Sequence, residues 1–437
     1  MRNKPVRTLF GVAALVILAI GVYYLPPVHE RLAWRVSNLR AQIQYFFNPP
    51  EEVVFLPGEQ AQIATLVQAT MDALSTPTPA SMATPRGSTT STSLNASATL
   101  APTPTPTVTP TPMPDKVTLT GIRHEYQKWN NCGPANLSMA LSFWGWEGDQ
   151  RDTAAFTKPN SRDKNVMPYE MAAYVAEETD LKVILRVGGD LDLLKRLIAA
   201  GFPVIVEKGF EGPQFDGWMG HYEVVNGYDE AKGRFLVQDS YIMADMPVTY
   251  EEMTSYWRSF NYTYIVIYPS EREAEALAIL GAQADETANL QYAAQKASDE
   301  IYQLSETRDL YFAWFNRGSS LMRLQDYAGA AAAFDQAFAL YPTIAAEKRP
   351  WRMLWYQTGP YFAYFYTGRY YDVLNLATTT IETANEPAIE ESFFWRAKAR
   401  AALGDTAGAI TDLRESLQWH PDFAPSVQAL QELGLQP

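Results

Sequence analysis

Residues 75–115 are mostly Thr, Pro, Ser and Ala and run out as PTPTPTVTPTPMP. A segment of this kind has too little apolar surface to build a core, and its alternating prolines bias the backbone towards extended polyproline II. At ~3 Å per residue, about 40 residues reach on the order of 100 Å. This stalk divides the chain. Anything packed must lie in the short stretch before it or in the long one after it.

Before the stalk, Arg2, Lys4 and Arg7 precede an uncharged apolar run over 8–25. Its length is close to the ~17–25 residues of a spanning helix. No small-x-small cleavage site follows cleanly, since Ala19 and Gly21 lie inside the run. Residues 1–25 are therefore expected to be an uncleaved signal-anchor. The leading positive charges hold the N-terminus in the cytoplasm and send the bulk of the chain outside. Arg31, Arg35 and Arg40 on the far side oppose that orientation. Residues 26–74 are read as a helical spacer, with Leu32, Val36, Leu39 and Ile43 at helical spacing.

Composition narrows the chemistry. A net charge of −14 argues against nucleic acid or anionic lipid as the main partner, because either needs a basic face. The single cysteine, Cys132, allows no intramolecular disulfide, no Cys-based zinc site and no lipoprotein anchor. No GxxxxGK[ST] phosphate loop is present. The reading calls for no cofactor and no metal.

Residues 116–269 carry the candidate site. In 127–145, QKWNNCGPANLSMALSFWG, Leu137, Ala140, Leu141 and Trp144 fall on one helical face. Pro134 marks a helix start just after the cysteine, and Gly145 suits its end. A thiol at a helix N-terminus lies in the field of unpaired N–H groups, which favours thiolate. Helices are then expected at 169–179 and 190–200, with strands at 181–187, 203–207, 221–228, 234–239 and 262–268 and a turn at 229–233. A nucleophile-bearing helix followed by an antiparallel sheet is an α+β arrangement.

Four histidines compete for the role of base. His29 lies beyond the stalk, His420 sits in the C-terminal helical region, and His124 is near enough to the cysteine to bond locally. His221 opens a strand after the glycine-rich loop 209–220, where a base should stand. Asp239 ends the next strand and can orient the imidazole; Asn226 is the alternative orienter. The Gln127 amide can join the Cys132 backbone N–H in binding an oxyanion. Trp129, Phe215 and Trp218 line a cleft or pack in core and loop. Asp229 reads as a turn residue and Glu177–Glu178 as a solvated face.

This constellation resembles the papain-like cysteine peptidases, in particular the group similar to the bacteriocin-processing, double-glycine-leader peptidases. The matching residues are Tyr126-Gln127, Trp129-Asn130-Asn131-Cys132-Gly133-Pro134-Ala135, Met139, Gly220-His221-Tyr222, Gly227-Tyr228-Asp229 and Gln238-Asp239. The resemblance implies Cys132 as nucleophile, His221 as general base and acid, Asp239 as orienter and Gln127 as oxyanion donor. Ser240 departs from it, standing where such sequences often have proline. The exporter and ATPase that accompany the bacteriocin peptidases are missing here, so leader cleavage does not carry over.

Residues 270–437 turn helical and alanine-rich. Three approximate copies run through Ala313–Pro342, through Tyr366 and Arg369 towards Pro387, and from Phe394 to Pro421, with an insertion around 347–351. They look like tetratricopeptide repeats, in which small residues let paired helices approach and aromatics fill the layers. Residues 271–306 supply a further, degenerate pair. The whole predicts a membrane-tethered, extracytoplasmic thiol peptidase acting on a peptide or protein, with repeats that recruit a protein partner. Two alternatives stand beside it: a silent peptidase-like scaffold, and an amidase or transglutaminase-like acyl transferase.

Overall fold

Alternation in two central strands organises the sheet. The run β3 (Val204–Phe210) sends Ile205 to one face and Val204 and Val206 to the other, and β7 (Tyr264–Pro269) repeats the pattern with Ile265 and Val266. Both faces are covered, which is why these strands read as nearly continuous apolar runs. They belong to a seven-stranded sheet with β1 (Lys116–Thr118), β2 (Leu181–Arg186), β4 (Met219–Asp229), β5 (Arg234–Gln238) and β6 (Met246–Thr249). The order is β2-β7-β3-β4-β5-β6, with β1 added to β4, and every pairing is antiparallel.

This computed structural model describes residues 21–23, 113–211, 217–384 and 386–437. The expected anchor, spacer and stalk lie outside them, apart from residues 21–23 and 113–115, as does Phe215. Among the described residues no helix is long and apolar enough to cross a membrane. Residues 115–437 belong to one compact unit.

On one face of the sheet, α1 (Cys132–Phe143) and α3 (Pro168–Glu178) bury Leu137, Leu141, Met171 and Val175 against Ile205, Val224 and Ile267. The opposite face takes α4 (Leu191–Ala199) and α5 (Tyr250–Arg258), whose Leu194, Leu197 and Trp257 meet Val206, Val237 and Val266. Asp190 caps α4 and Thr249 caps α5, each accepting from a first-turn N–H. Neither α5 and β6 nor α2 (Gln150–Thr157) was expected from sequence pattern. Two local expectations also shift. The first helix begins at Cys132 itself, and β4 begins at Met219, so His221 lies within the strand and pairs with Lys208. The loop before it is correspondingly shorter than 209–220.

The remaining helices pair off in order. The expected pair over 271–306 is the exception: α6 (Glu273–Leu280) buries Ala276 and Leu280 in the core of the sheet domain beside α4, and α7 (Glu286–Gln303) packs on α8 (Thr307–Arg323), which pairs with α9 (Tyr327–Leu340). The short α10 (Met353–Tyr356) lies in the insertion. Then come α11 (Gly359–Tyr366) with α12 (Tyr370–Glu382), α13 (Glu390–Ala402) with α14 (Thr406–Trp419), and α15 (Ala424–Glu432). A Cβ on Gly318 would lie 2.7 Å from Phe334, so only glycine lets α8 and α9 close up there.

The repeats pack directly on the sheet domain. Trp218 is fully buried, stacks on Phe260 at 5.5 Å and meets Tyr356 of the insertion edge-on at 6.1 Å. Its carbonyl accepts from Arg352 Nη1 at 2.8 Å. Trp218 is thus a seam residue and does not line a cleft. Asn316 and Gln357 donate to the Arg258 and Ser259 carbonyls at 2.7 Å each. Buried polar pairs of this kind fix one relative placement, because losing either partner strands the other.

Candidate active site

Cys132 is the first residue of α1 and is half-buried. The cap position before it, Asn131, makes no side-chain bond to its own helix. Instead its amide turns outward, Oδ1 accepting from Lys158 Nζ at 3.2 Å and Nδ2 donating to Gln150 Oε1 at 3.3 Å. An N-cap side chain normally satisfies a first-turn N–H, so its diversion leaves those donors, and their positive field, available to a thiolate or an oxyanion.

The two ends of α2 hold the segment that leads into the cysteine. At its start, Gln150 donates to the Tyr126 carbonyl at 2.8 Å and accepts from the Lys128 N–H at 2.8 Å. Just past its end, Lys158 Nζ reaches the Trp129 carbonyl at 2.9 Å and the Asn130 carbonyl at 3.2 Å. Burial pulls this ammonium down to about 8, against the opposing pull of Asp163 and Cys132. Asn130 sits at φ 52°, a left-handed conformation that Asn tolerates better than most residues.

His221 reaches the cysteine from β4. Its Nε2 is 3.3 Å from Asp239 Oδ2, inside ion-pair reach but off the line of an ideal hydrogen bond. Cys132 lies close enough to act on the same ring. Burial alone would lower the imidazole pKa. The charge of Asp239 beside it, together with Cys132, outweighs it and pushes the group up to about 10. Asp239 moves the other way. Burial would raise it, but His221, Glu223 and the Ile242 N–H hold it well below the usual carboxylate range. Its Oδ1 accepts from the Tyr241 and Ile242 N–H groups at 2.7 Å each, a fixed turn that aims the other oxygen at the ring. Phe210 covers the imidazole, with ring centres 5.1 Å apart.

The Gln127 amide is oriented by Ser240, whose hydroxyl donates to Oε1 at 2.8 Å, while the Gln127 N–H donates to the Ser240 carbonyl at 2.8 Å. Asn136, one turn along α1, ties the groups together. Its Nδ2 lies 2.9 Å from the Cys132 carbonyl, 2.7 Å from the Tyr222 carbonyl and 3.0 Å from Ser240 Oγ.

The structure therefore brings Cys132, Gln127, His221 and Asp239 together. The other candidates are occupied elsewhere. Asn226 donates to Asp245 at 2.8 Å, His124 meets Gln238 at 3.1 Å and His420 meets Glu390 at 2.8 Å. Trp129 stands 42% exposed beside the cysteine segment. Sequence reasoning missed Asn136, Gln150, Lys158 and Glu223. Only Asn136, at helical spacing from the cysteine, left a signal that could have found it. His221, Glu223 and Asp239 each offer a donor atom within 4.8 Å of the others. Lys208 Nζ, 2.6 Å from Glu223 Oε1, already supplies the cation there.

The geometry can polarise a thiol, store its proton and stabilise negative charge on a carbonyl oxygen. Residues 119–265 match the Peptidase_C39 like family, and residues 311–344 match the tetratricopeptide repeat. Among solved structures, a protein described as a C39-like peptidase from Bacillus anthracis is 18% identical, with 35% of this chain and 96% of that one covered at a TM-score of 0.29. A double-glycine motif protease from an AMS/PCAT transporter, solved with its leader peptide, is 16% identical over 36% of this chain and 98% of that one, at 0.27. No curated protein matches the chain. The sheet domain is C39-peptidase-like, and it is followed by tetratricopeptide repeats.

Proposed function

We propose that this chain is a cysteine peptidase, tethered to the membrane by residues 1–25 and working outside the cytoplasm, whose repeats recruit a protein partner or substrate. One observation carries the enzymatic part: His221, paired with Asp239 at 3.3 Å, stands beside Cys132 at its uncapped helix start. Cys132 Sγ attacks the scissile carbonyl carbon as a thiolate. The carbonyl π electrons move to oxygen, where the Gln127 N–H₂ and the Cys132 N–H receive the charge. The His221 imidazolium gives its proton to the leaving amine as the C–N bond breaks, and a thioester remains. Water, deprotonated by the now neutral imidazole, then releases the acid and restores the thiol. An amine in place of water would make the same site an acyl transferase, so products separate the two.

The test is cleavage of a peptide library by a soluble form beginning near Pro114. Cys132→Ala should abolish cleavage, and His221→Ala should slow alkylation of Cys132 near neutral pH. Cleavage retained without the sulfur excludes this nucleophile. Equal alkylation with and without the imidazole counts against an activated Cys132–His221 pair.

A further inference from the structure

Behind Asp239 the buried polar line continues. Glu223 lies two residues beyond His221 on the same face of β4, fully buried. Lys208, opposite His221 on β3, is 3% exposed and places Nζ 2.6 Å from Glu223 Oε1. With Oε1 held by Lys208, Glu223 Oε2 and Asp239 Oδ2 are buried without a hydrogen-bond donor, and the two carboxyl groups approach within 4.8 Å. Of two neighbouring buried carboxyl groups, one that keeps its proton can donate it to the orphaned oxygen of the other.

We propose that Glu223 and Lys208 are positioning residues for the Cys132–His221 pair: Glu223 shares a proton with Asp239, Lys208 fixes Glu223, and this pair sets the pH range over which His221 stays an imidazolium. The inference rests on the peptidase reading above. Burial lifts the Glu223 carboxyl to about 7, against the pull of Lys208 and His221. The charged groups facing it are Lys208 from β3, His221 from its own strand and Asp239 after β5. From α5, Glu252 acts on Lys208 and the Tyr256 ring lies 5.5 Å from its Nζ. Once Glu223 ionises, it adds negative charge near the imidazolium, and the imidazolium retains its proton to higher pH. A Glu223 oxygen stands within 4.8 Å of a His221 ring nitrogen, and Lys208, on which Glu223 and Asp239 act most, offsets only part of that field.

The experiment is the pH profile of Cys132 carboxymethylation by iodoacetate, an anion that the imidazolium attracts. The parent protein should react fastest over a plateau and slow on the alkaline side as His221 loses its proton. Glu223→Gln keeps a donor for Asp239 but cannot ionise, so its alkaline limb should move down by roughly one pH unit, tenfold in proton affinity. Lys208→Met, which leaves Glu223 protonated, should move it the same way by less. Should either single variant fail to fold, Lys208→Met with Glu223→Leu removes both buried charges at once, and its limb should also fall. Limbs that stay put or rise, beneath a normal parent plateau, overturn the role of Glu223 and Lys208 and spare the peptidase reading. A parent rate that simply climbs like a free thiol's sinks both.

Discussion

The Ser240 hydroxyl donates to the Gln127 side-chain oxygen at 2.8 Å, and this single bond decides which end of the amide is engaged. With Oε1 engaged, the N–H₂ is the end left for an oxyanion. Proline at position 240 would lack the hydroxyl and so this means of orientation.

Gln127→Ala should therefore lower kcat about a hundredfold, since one oxyanion donor is worth about 3 kcal/mol of barrier. Ser240→Ala leaves the amide present but free to turn, and should cost roughly tenfold, again in kcat with KM little changed. Steady-state kinetics on one good peptide separates the two. A Ser240→Ala loss confined to KM would mean that the hydroxyl serves substrate binding instead.

Lys158 should matter to turnover although it touches no reacting atom. Its ammonium spends its three donors on the Trp129 and Asn130 carbonyls and the Asn131 side chain, holding the backbone that presents the Cys132 N–H. Lys158→Met should cut peptide hydrolysis at least tenfold and speed amide exchange over 128–132. Alkylation of Cys132, which needs only the imidazole, should stay near the parent rate. Loss of alkylation in step with hydrolysis would place Lys158 in thiol activation.

Lys158 also shows where sequence stopped being informative. The helix that carries Cys132, the two buried strands and the repeats each announce themselves by a local period, while Cys132, His221, Asp239 and Gln127 follow from elimination among four histidines and from the family resemblance. The brace around the cysteine has no period. Gln150 and Lys158 flank an eight-residue helix, α2, with little apolar content, and their partners are backbone carbonyls that any residue offers. Its one written signal was the acidic pair Asp149 and Asp152, which cap it reciprocally. Trp218 misled for a related reason. Tryptophan beside a glycine loop suits a cleft as well as a core, and only the insertion carrying Arg352 and Tyr356 decides between them. Gly220 before His221 has the same origin, because a Cβ there would lie 2.7 Å from Phe260 and 2.9 Å from Tyr356.

The seam predicts one cooperative unit. Residues 115–437 should unfold in a single denaturant transition, with near-ultraviolet signals from the sheet domain and far-ultraviolet signals from the repeats superimposed. Trp218→Ala empties a fully buried site between the two parts and should cost about 3–5 kcal/mol. Its effect should appear in both signals. Two separated transitions in the parent, or a Trp218→Ala effect limited to one, would show that the parts are stable independently.

The last prediction concerns acid groups at the same seam. Glu391, 7% exposed at the start of α13, accepts from the Tyr169 hydroxyl at the start of α3 at 3.4 Å. Burial first, and then the charge of Glu390, raises its carboxyl well above the ordinary value; burial and Glu391 do the same to Glu170. A folded-state pKa above the unfolded one means that the native protein binds more protons. The stability this confers is complete below the unfolded carboxylate value of about 4.5 and is lost as pH rises through the folded value. His221 works in the same direction at higher pH, its folded value near 10 standing above the free imidazole's. The denaturant midpoint should therefore fall steadily from mildly acidic to alkaline pH. Glu391→Gln, which keeps an amide in place of the acid and cannot ionise, should flatten the acidic part of that decline and leave the alkaline part, governed by His221, unchanged. A Glu391→Gln curve parallel to the parent's throughout would mean that Glu391 is ionised in the folded seam and held by charges other than those found around it.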